Sequence, residues 1–238
     1  MTMNTSKKVA VISGGAGYLG SAISQKLVDN DFIVVALVQE NSGVSTKENI
    51  YFKRVDITSA SAVRQVADEV KEEFGEVFTV IHCASAPLVR RPILSLSEDD
   101  FKRQFEVNVF GGFYFFKYFS GMMNENGALI GTTSSAILPK ASHGKNGSYA
   151  AAKYGLQGML LSLVPEVSFR IYSVAPSFMP GGLNNDLPTA AKEIIIKTRP
   201  PQEITDPNEV AEAILSLVND TEKKWNGDTI LLPGFVIV

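Results

Sequence analysis

The sequence contains a single cysteine, Cys83, among its 238 residues. One cysteine excludes an intramolecular disulfide and any zinc site built from several cysteines, and we predict no metal site. Stability must then come from a hydrophobic core. At 45% hydrophobic and 20% charged residues, a chain of this length is expected to form one globular domain over residues 1–238.

The chain also lacks an excess of positive charge and long apolar runs. Its formal net charge of −3 makes nucleic acid a poor candidate for the main partner. Its longest apolar runs, such as residues 32–38, are far shorter than the ~20 residues of a membrane-spanning helix. Three glycines between positions 14 and 17 interrupt the apolar segment after Lys8, which argues against a signal peptide. We therefore expect a cytoplasmic protein with no membrane partner.

Short segments rich in β-branched residues alternate with longer segments of helical pattern along the whole chain. This alternation is typical of parallel βαβ units. Right-handed crossovers then give a doubly wound, Rossmann-type α/β fold, with a parallel sheet of about seven strands and helices on both faces. The predicted strands cover residues 8–13, 32–38, 51–55, 77–83, 128–132, 169–174 and 229–232. The predicted helices cover residues 21–30, 59–74, 99–124, 149–164 and 207–219.

One long irregular stretch, residues 178–205, contains four prolines and two adjacent glycines. Because irregular stretches of this length are often functional, we predict a substrate lid with a short helix near residues 189–197. Lys197 and Arg199 in this lid either attract an anionic substrate, such as a phosphopantetheine thioester, or are solvated charges. His143, in a polar loop expected to border the substrate pocket, is interpreted as a solvated residue.

Residues 13–20, Ser-Gly-Gly-Ala-Gly-Tyr-Leu-Gly, lie between the first predicted strand and the first predicted helix. Glycines permit positive φ and let backbone N–H groups approach a pyrophosphate, while the helix N-terminus adds about half a positive charge. This placement predicts a dinucleotide site. A tight turn without a ligand is the alternative. The predicted contacts in this loop are Gly14, Gly17, Tyr18, Leu19 and Gly20.

The end of the second predicted strand bears on the choice between NAD and NADP. An acidic residue there would bind the ribose 2′-OH, and a basic one a 2′-phosphate. Val38 and Gln39 occupy these positions and Glu40 comes late, so either cofactor remains possible, with Gln39 as a predicted contact. Asp56 and Ile57 follow the third strand and are predicted beside the adenine. Asp56 either accepts a hydrogen bond from the adenine amine or caps the next helix.

Tyr149 and Lys153 are four residues apart at the start of a predicted helix, so their side chains share one face. A free tyrosine titrates near pH ~10, and making it an acid–base group near pH ~7 requires about 4 kcal/mol of phenolate stabilisation. One cation about 4 Å away, at an effective dielectric constant of about 20, supplies an interaction of that size. The pair suits proton transfer, and a surface pair is the alternative.

Polar residues at the end of the fifth predicted strand strengthen this interpretation, because doubly wound sheets bind ligands at that edge. Ser135 is predicted to donate a hydrogen bond to a substrate carbonyl, with Ser134 as a neighbour that caps or packs. Asn108 falls in the long predicted helix, where a buried amide needs hydrogen bonds. It either holds a water linked to Lys153 or satisfies backbone groups at a helix kink.

Taken together, these motifs resemble the short-chain dehydrogenase/reductase family over nearly the whole chain. The resemblance implies a tetrad of Asn108, Ser135, Tyr149 and Lys153. In that tetrad the tyrosine is the general acid/base, the serine orients the carbonyl, the lysine binds the nicotinamide ribose and lowers the tyrosine pKa, and the asparagine supports a proton relay. Cofactor contacts are expected at Cys83, Ala84, Tyr149, Lys153 and Pro176.

Two segments differ from the compact branch of that family. Tyr18 stands where the middle glycine of the loop is usual, and the loop matches the extended branch of sugar-nucleotide epimerases and dehydratases. The strand that ends in His82 and Cys83 is also similar to that branch. We interpret these two residues as packing residues near the adenosine. We expect an NAD(P)-dependent oxidoreductase acting on a small-molecule carbonyl or secondary alcohol. An epimerase or dehydratase, and a non-catalytic dinucleotide sensor, are the alternatives.

Aromatic residues are concentrated in residues 113–119, more densely than one apolar stripe of a surface helix requires. Adjacent aromatics point in different directions around a helix, so more than one face needs cover. The family often pairs this helix and the helix of Tyr149 across a dimer interface. The resemblance and the aromatic excess together predict a homodimer or homotetramer.

Overall fold

The computed structural model describes residues 7–39, 48–138 and 144–238. Within these residues eight strands form one sheet in the order β3-β2-β1-β4-β5-β6-β7-β8, in which β8 alone runs antiparallel to its neighbour. The strands are β1 (Lys8–Ser13), β2 (Phe32–Val38), β3 (Ile50–Arg54), β4 (Val77–His82), β5 (Met123–Thr132), β6 (Arg170–Pro176), β7 (Thr229–Leu232) and β8 (Val236–Ile237). The helices are α1 (Tyr18–Val28), α2 (Ala60–Phe74), α3 (Glu98–Phe105), α4 (Gly111–Phe119), α5 (Gly147–Leu163), α6 (Thr189–Thr198) and α7 (Pro207–Val218).

Helices cover both faces of the sheet, which explains why its central strands are continuously apolar. Along β1, Val9 and Val11 point into a core with α2, α4 and α5. The alternate residues, Ala10 and Ile12, point into a second core with α1 and α7. The predicted doubly wound fold is confirmed. The order of the strands reverses between β1 and β4, so the loops after these two strands open a crevice at the carboxyl edge.

The long helix predicted over residues 99–124 is wrong as a single element. The chain instead forms α3, a π-helical segment at Glu106–Phe110, α4 and a short 3₁₀ turn at Ser120–Met122. The next strand then begins at Met123, five residues before its predicted start. A π-helical segment is rare and usually a single turn inside an α-helix, so the helical apolar pattern on either side of it does not reveal it.

An eighth strand was not predicted. It contains two residues and pairs with β7 after a turn in which Gly234 and Phe235 have φ values of 92° and 51°. A strand this short has no alternation to recognise. The parallel part of the sheet contains the seven strands that were predicted.

The segment between β6 and α7 lies outside the sheet, and its two ends are joined by one backbone bridge. Phe178 and Ile204 form an isolated parallel bridge, and Thr205 N–H donates to the Phe178 carbonyl at 2.9 Å. The predicted short helix is present as α6. No helix in the described part of the chain is long and apolar enough to cross a membrane. Within residues 7–39, 48–138 and 144–238, no group of His, Cys, Asp and Glu is arranged to hold a metal ion.

Candidate functional site

A cavity of about 1070 Å³ lies at the carboxyl edge of the sheet. The loops that follow β1 to β6 form its walls, because the carboxyl ends of parallel strands meet at one edge. Every cofactor contact predicted from the sequence lines this cavity, as do Ser135, Tyr149 and Lys153. His143 and Glu40 lie outside the described residues.

The glycine loop is packed too tightly for side chains at three of its positions, Gly14, Gly15 and Gly20. Gly14 has a φ of +71°, and a Cβ there would lie 2.9 Å from the backbone of Ala84. A Cβ at Gly20 would lie 2.1 Å from the Gly14 carbonyl oxygen. Gly17 precedes α1 as its N-cap residue, so the helix N-terminus opens onto the cavity. This cradle of bare backbone beside a helix N-terminus fits a dinucleotide pyrophosphate.

Tyr18, the residue that departs from the compact family pattern, contacts the segment after β6. A Cβ at Gly181 would lie 2.5 Å from Cζ of the Tyr18 ring, and one at Gly182 would lie 3.0 Å from the Tyr18 Cβ. Gly182 also has a φ of +60°. The two adjacent glycines of residues 178–205 therefore make room for an aromatic ring that projects from the glycine loop.

Asp56 lies on the cavity wall and closes a local turn. Its Oδ1 accepts hydrogen bonds from Thr58 N at 3.0 Å and Thr58 Oγ1 at 2.8 Å. These two bonds hold the pKa of the Asp56 carboxyl below its ordinary value. The N-cap of α2 is Ser59, whose Oγ accepts from Ala62 N, so the predicted capping role belongs to Ser59. Gln39 is exposed at the end of β2.

Tyr149 and Lys153 share one face of α5, as predicted. Nζ of Lys153 donates to the Thr132 carbonyl at 2.8 Å and lies 5.6 Å from the centre of the Tyr149 ring. Burial lowers the pKa of Lys153 to about 8. Burial also raises the pKa of Tyr149, whereas a hydrogen bond with the Ser134 hydroxyl lowers it. In this structure burial decides the direction of the tyrosine shift, against the expectation that the lysine would lower it.

Ser134 and Ser135 both line the cavity beside Tyr149. Ser134 Oγ accepts a hydrogen bond from Ala136 N at 3.2 Å, while Ser135 begins a 3₁₀ turn beside it. Ser134 therefore caps this turn, one of the two roles predicted for it. Ser135 keeps the catalytic role predicted for it in the proposal below, and Ser134 is the alternative.

Asn108 is fully buried in the π-helical segment. Its Nδ2 donates to the carbonyl oxygen and to Oε1 of Gln104, at 2.9 and 3.2 Å. Its Oδ1 accepts from Ser85 Oγ at 2.8 Å. Of the two roles considered for Asn108, these contacts match the satisfaction of backbone groups at a helix irregularity. They also join the loop after β4 to the π-helical segment.

His82 is buried at the end of β4, as the sequence predicts, and it also makes a contact with Ser13 that was not predicted. Its Nδ1 lies 2.7 Å from Ser13 Oγ, which also accepts N–H bonds from Cys83 and Ala84. Since the serine oxygen already accepts those two bonds, its own proton goes to Nδ1 and the imidazole proton is on Nε2. Burial, followed by the charge of Lys153, lowers the pKa of His82 to about 3.

This shift predicts a loss of stability in acid. An unfolded histidine titrates near pH ~6.5, so below that pH the unfolded chain binds a proton that folded His82 refuses until about pH 3. The free energy of unfolding should fall as the pH decreases through this window. Urea titrations at pH 7, 5.5 and 4.5 should show a shallower fall for His82→Asn than for the wild type. Equal slopes for the two proteins would contradict the buried neutral imidazole.

Comparison with known proteins gives matches over nearly the whole chain. A family model described as enoyl-(acyl carrier protein) reductase matches residues 16–234. The 3-hydroxyacyl-CoA dehydrogenase type-2 of Bos taurus is 28% identical over 96% of this chain and 94% of its own. The 3-oxoacyl-[acyl-carrier-protein] reductase FabG of Thermotoga maritima is 25% identical over 99% of this chain and 100% of its own.

The solved structures agree on the fold. The ligand-free aldohexose dehydrogenase of Thermoplasma acidophilum superimposes with a TM-score of 0.84 at 22% identity, covering 96% of this chain and 93% of that one. The named relatives are dehydrogenases and reductases, which does not favour an epimerase, a dehydratase or a non-catalytic sensor. The chain belongs to the short-chain dehydrogenase/reductase family and is an oxidoreductase that uses NAD or NADP.

Proposed function

We propose that Tyr149, Lys153 and Ser135 interconvert a carbonyl and a secondary alcohol of a small-molecule substrate. The observation that carries this proposal is the placement of the Tyr149 ring at the cavity wall, with its centre 5.6 Å from Nζ of buried Lys153. All three side chains line the cavity that the glycine loop also borders. A bound dinucleotide supplies or accepts the hydride. In the reduction, Tyr149 delivers a proton to the developing alkoxide and Ser135 donates a hydrogen bond to the same oxygen.

Other groups around the cavity are proposed to bind the dinucleotide. The backbone of the glycine loop and the N-terminus of α1 bind the pyrophosphate. Gln39 and Asp56 contact the adenosine, and Lys153 contacts the nicotinamide ribose. Asn108 supports the site indirectly, through Gln104 and Ser85. Further contacts are assigned to Gly14, Gly17, Tyr18, Leu19, Gly20, Ile57, Cys83, Ala84, Tyr149 and Pro176.

For the substrate we propose a 3-oxoacyl or 3-hydroxyacyl thioester. The names of the two curated relatives support it. So does the apolar lining contributed to the cavity by Leu88, Leu138 and Met179. Arg199 also borders the cavity, over the Phe178 ring at 5.6 Å, and is paired with Glu203 of the cavity lining at 3.3 Å, so an anionic group of such a substrate would compete with that carboxylate for it. Lys197 is exposed on α6.

A deuterium-transfer experiment tests the proposed reaction. The protein is incubated with acetoacetyl-CoA and a panel of other carbonyl compounds, together with NADH or NADPH that carries deuterium at the reactive C4 position. We expect deuterium on the carbinol carbon of the acyl product. Label in other carbinols alone would contradict the acyl substrate, and label in no product would contradict the reaction.

The two neighbouring serines offer a matched pair of variants for the same assay. Loss of one positioned donor to an oxyanion typically lowers kcat by about 10²-fold to 10³-fold. We expect Ser135→Ala to show such a loss and Ser134→Ala to keep kcat within about 3-fold of the wild type, since the donor to the substrate oxygen is assigned to Ser135. A larger loss in Ser134→Ala than in Ser135→Ala would transfer that role to Ser134.

We propose that the chain is a single domain over residues 1–238, with residues 178–205 as its lid. We also propose that it forms a homodimer or homotetramer. Phe115 and Phe119 of α4 are buried, whereas Phe113 on the same helix is 45% exposed. On α5, Leu161 is 51% exposed. These exposed apolar side chains suit a contact between α4 and α5 of two subunits. Light scattering at micromolar concentration should give two or four times the chain mass, and a monomeric mass would contradict the oligomer.

We also propose that the protein is located in the cytoplasm. It is supported by the presence of only one cysteine, since disulfides are typical of oxidising compartments. Fractionation of cells that express the protein tests it, and recovery outside the cytoplasmic fraction would contradict it.

A further inference from the structure

Arg90, in the loop after β4, has its guanidinium group enclosed by two other parts of the chain. Nε and Nη2 donate to the two carboxylate oxygens of Asp186 at 3.2 Å each, which is a bidentate pair. Nη2 also donates to Asn184 Oδ1 at 2.7 Å and to the Leu183 carbonyl at 3.3 Å. Nη1 donates to Asn146 Oδ1 at 3.3 Å. One side chain thereby holds four residues that are remote from it in sequence.

The partners of Arg90 lie on two segments that matter for the substrate. Asn184 and Asp186 belong to the proposed lid, and Asn184 is tied within it through a bond from Nδ2 to the Met179 carbonyl at 2.7 Å. Asn146 is the N-cap residue of α5, three residues before Tyr149. The guanidinium therefore bridges the lid and the first turn of the helix that carries the phenol.

Arg90 does not line the cavity, whereas three of its four partners do. Asn146, Leu183 and Asn184 line the cavity together with Tyr149, so displacement of these partners changes its shape. The Arg90 side chain is only 20% exposed, and its planar fork satisfies several acceptors at once. An isolated surface ion pair would contribute little, but this partly buried network fixes a geometry that a lysine ammonium does not reproduce.

We propose that Arg90 is a positioning residue that fixes the lid relative to Tyr149, so that the substrate oxygen meets the phenol in one geometry. This inference rests on the proposed acid–base role of Tyr149. Small displacements of a reacting group reduce the rate steeply, by about 10²-fold for about 1 Å. The glycine loop and the N-terminus of α1 contribute none of the five hydrogen bonds made by Arg90. Dinucleotide binding there should therefore survive the loss of the guanidinium.

The test compares Arg90→Ala and Arg90→Lys with Arg91→Ala. Arg91 is the exposed neighbouring arginine, so its replacement removes the same charge without reaching the lid. We expect kcat/KM to fall by about 10-fold to 100-fold in both Arg90 variants, with the dinucleotide Kd within about 2-fold of the wild type. Arg91→Ala should match the wild type. Wild-type kcat/KM in Arg90→Lys, or parallel loss of dinucleotide binding in Arg90→Ala, would overturn the proposal.

Asp186→Asn provides a second route that keeps the arginine in place. If both residues act through one contact, the Arg90→Ala, Asp186→Asn double variant should lose no more kcat/KM than Arg90→Ala alone. Fully additive losses would overturn the proposal. Tyr149→Phe, assayed alongside, distinguishes the two failures. Retained turnover in Tyr149→Phe would overturn the proposed function, whereas an inactive Tyr149→Phe beside unimpaired Arg90 variants would overturn only the role of Arg90.

Discussion

Replacing Tyr149 by phenylalanine is expected to lower kcat by about 10³-fold while leaving the dinucleotide Kd within about 2-fold of the wild type. Phenylalanine keeps the ring that packs 5.6 Å from Nζ of Lys153. It removes the hydroxyl that is proposed to move the proton. The measurements are steady-state turnover with the substrate found by deuterium transfer and calorimetric titration with the dinucleotide.

A second tyrosine on the same helix supplies the control. Tyr154 is 44% exposed, its hydroxyl lies 3.4 Å from the Leu138 carbonyl, and it is not one of the residues that line the cavity. Tyr154→Phe should therefore keep kcat within about 2-fold. Turnover retained by Tyr149→Phe would refute the acid–base role, and loss of dinucleotide binding in that variant would point to a binding role instead.

Replacing Gly20 by alanine is expected to raise the dinucleotide Kd by at least about 100-fold, or about 2.7 kcal/mol. The new Cβ would lie 2.1 Å from the Gly14 carbonyl oxygen, which belongs to the backbone and cannot rotate away. Gly14 lies close to a second stretch of backbone, because a Cβ placed on it would lie 2.9 Å from the backbone of Ala84. The loop must shift as a unit, which displaces the N–H groups proposed to bind the pyrophosphate and lowers Tm.

Gly158, in the middle of α5, provides the matched control. A Cβ at this position meets nothing within 4 Å, and alanine is favoured over glycine in a helix by about 1 kcal/mol. Gly158→Ala should therefore keep the dinucleotide Kd and should not lower Tm. Wild-type binding and Tm in Gly20→Ala would contradict the tight cradle.

The sheet could be predicted from the sequence because its strands are buried on both faces. The bounds of β1, β2 and β7 agree with the prediction to the residue, since each is an apolar run between residues of different pattern. The π-helical segment could not be predicted, because its apolar spacing is compatible with an ordinary helix. The two-residue β8 offers too little sequence for any pattern.

The residues around the cofactor cavity could be placed because they immediately follow predicted strands, and parallel strands end at one edge. The choice between Ser134 and Ser135 depends on which way the chain turns after β5, which no local pattern reveals. Arg90 was missed because its partners lie up to 96 residues away in the sequence. The adjacent glycines Gly181 and Gly182 are the sequence feature that accompanies the Tyr18 contact, but the sequence alone does not connect these glycines with Tyr18.

Dinucleotide binding by the glycine-loop cavity is tested most directly by calorimetric titration of NADH and NADPH into the wild type, Tyr149→Phe and Gly20→Ala. We expect at least one of the two dinucleotides to bind at one site per chain in the wild type and in Tyr149→Phe, and binding to be lost in Gly20→Ala. The preferred dinucleotide also settles the choice that Val38 and Gln39 leave open. Failure of both dinucleotides to bind the wild type, or equal binding by Gly20→Ala, would contradict the assignment of this cavity.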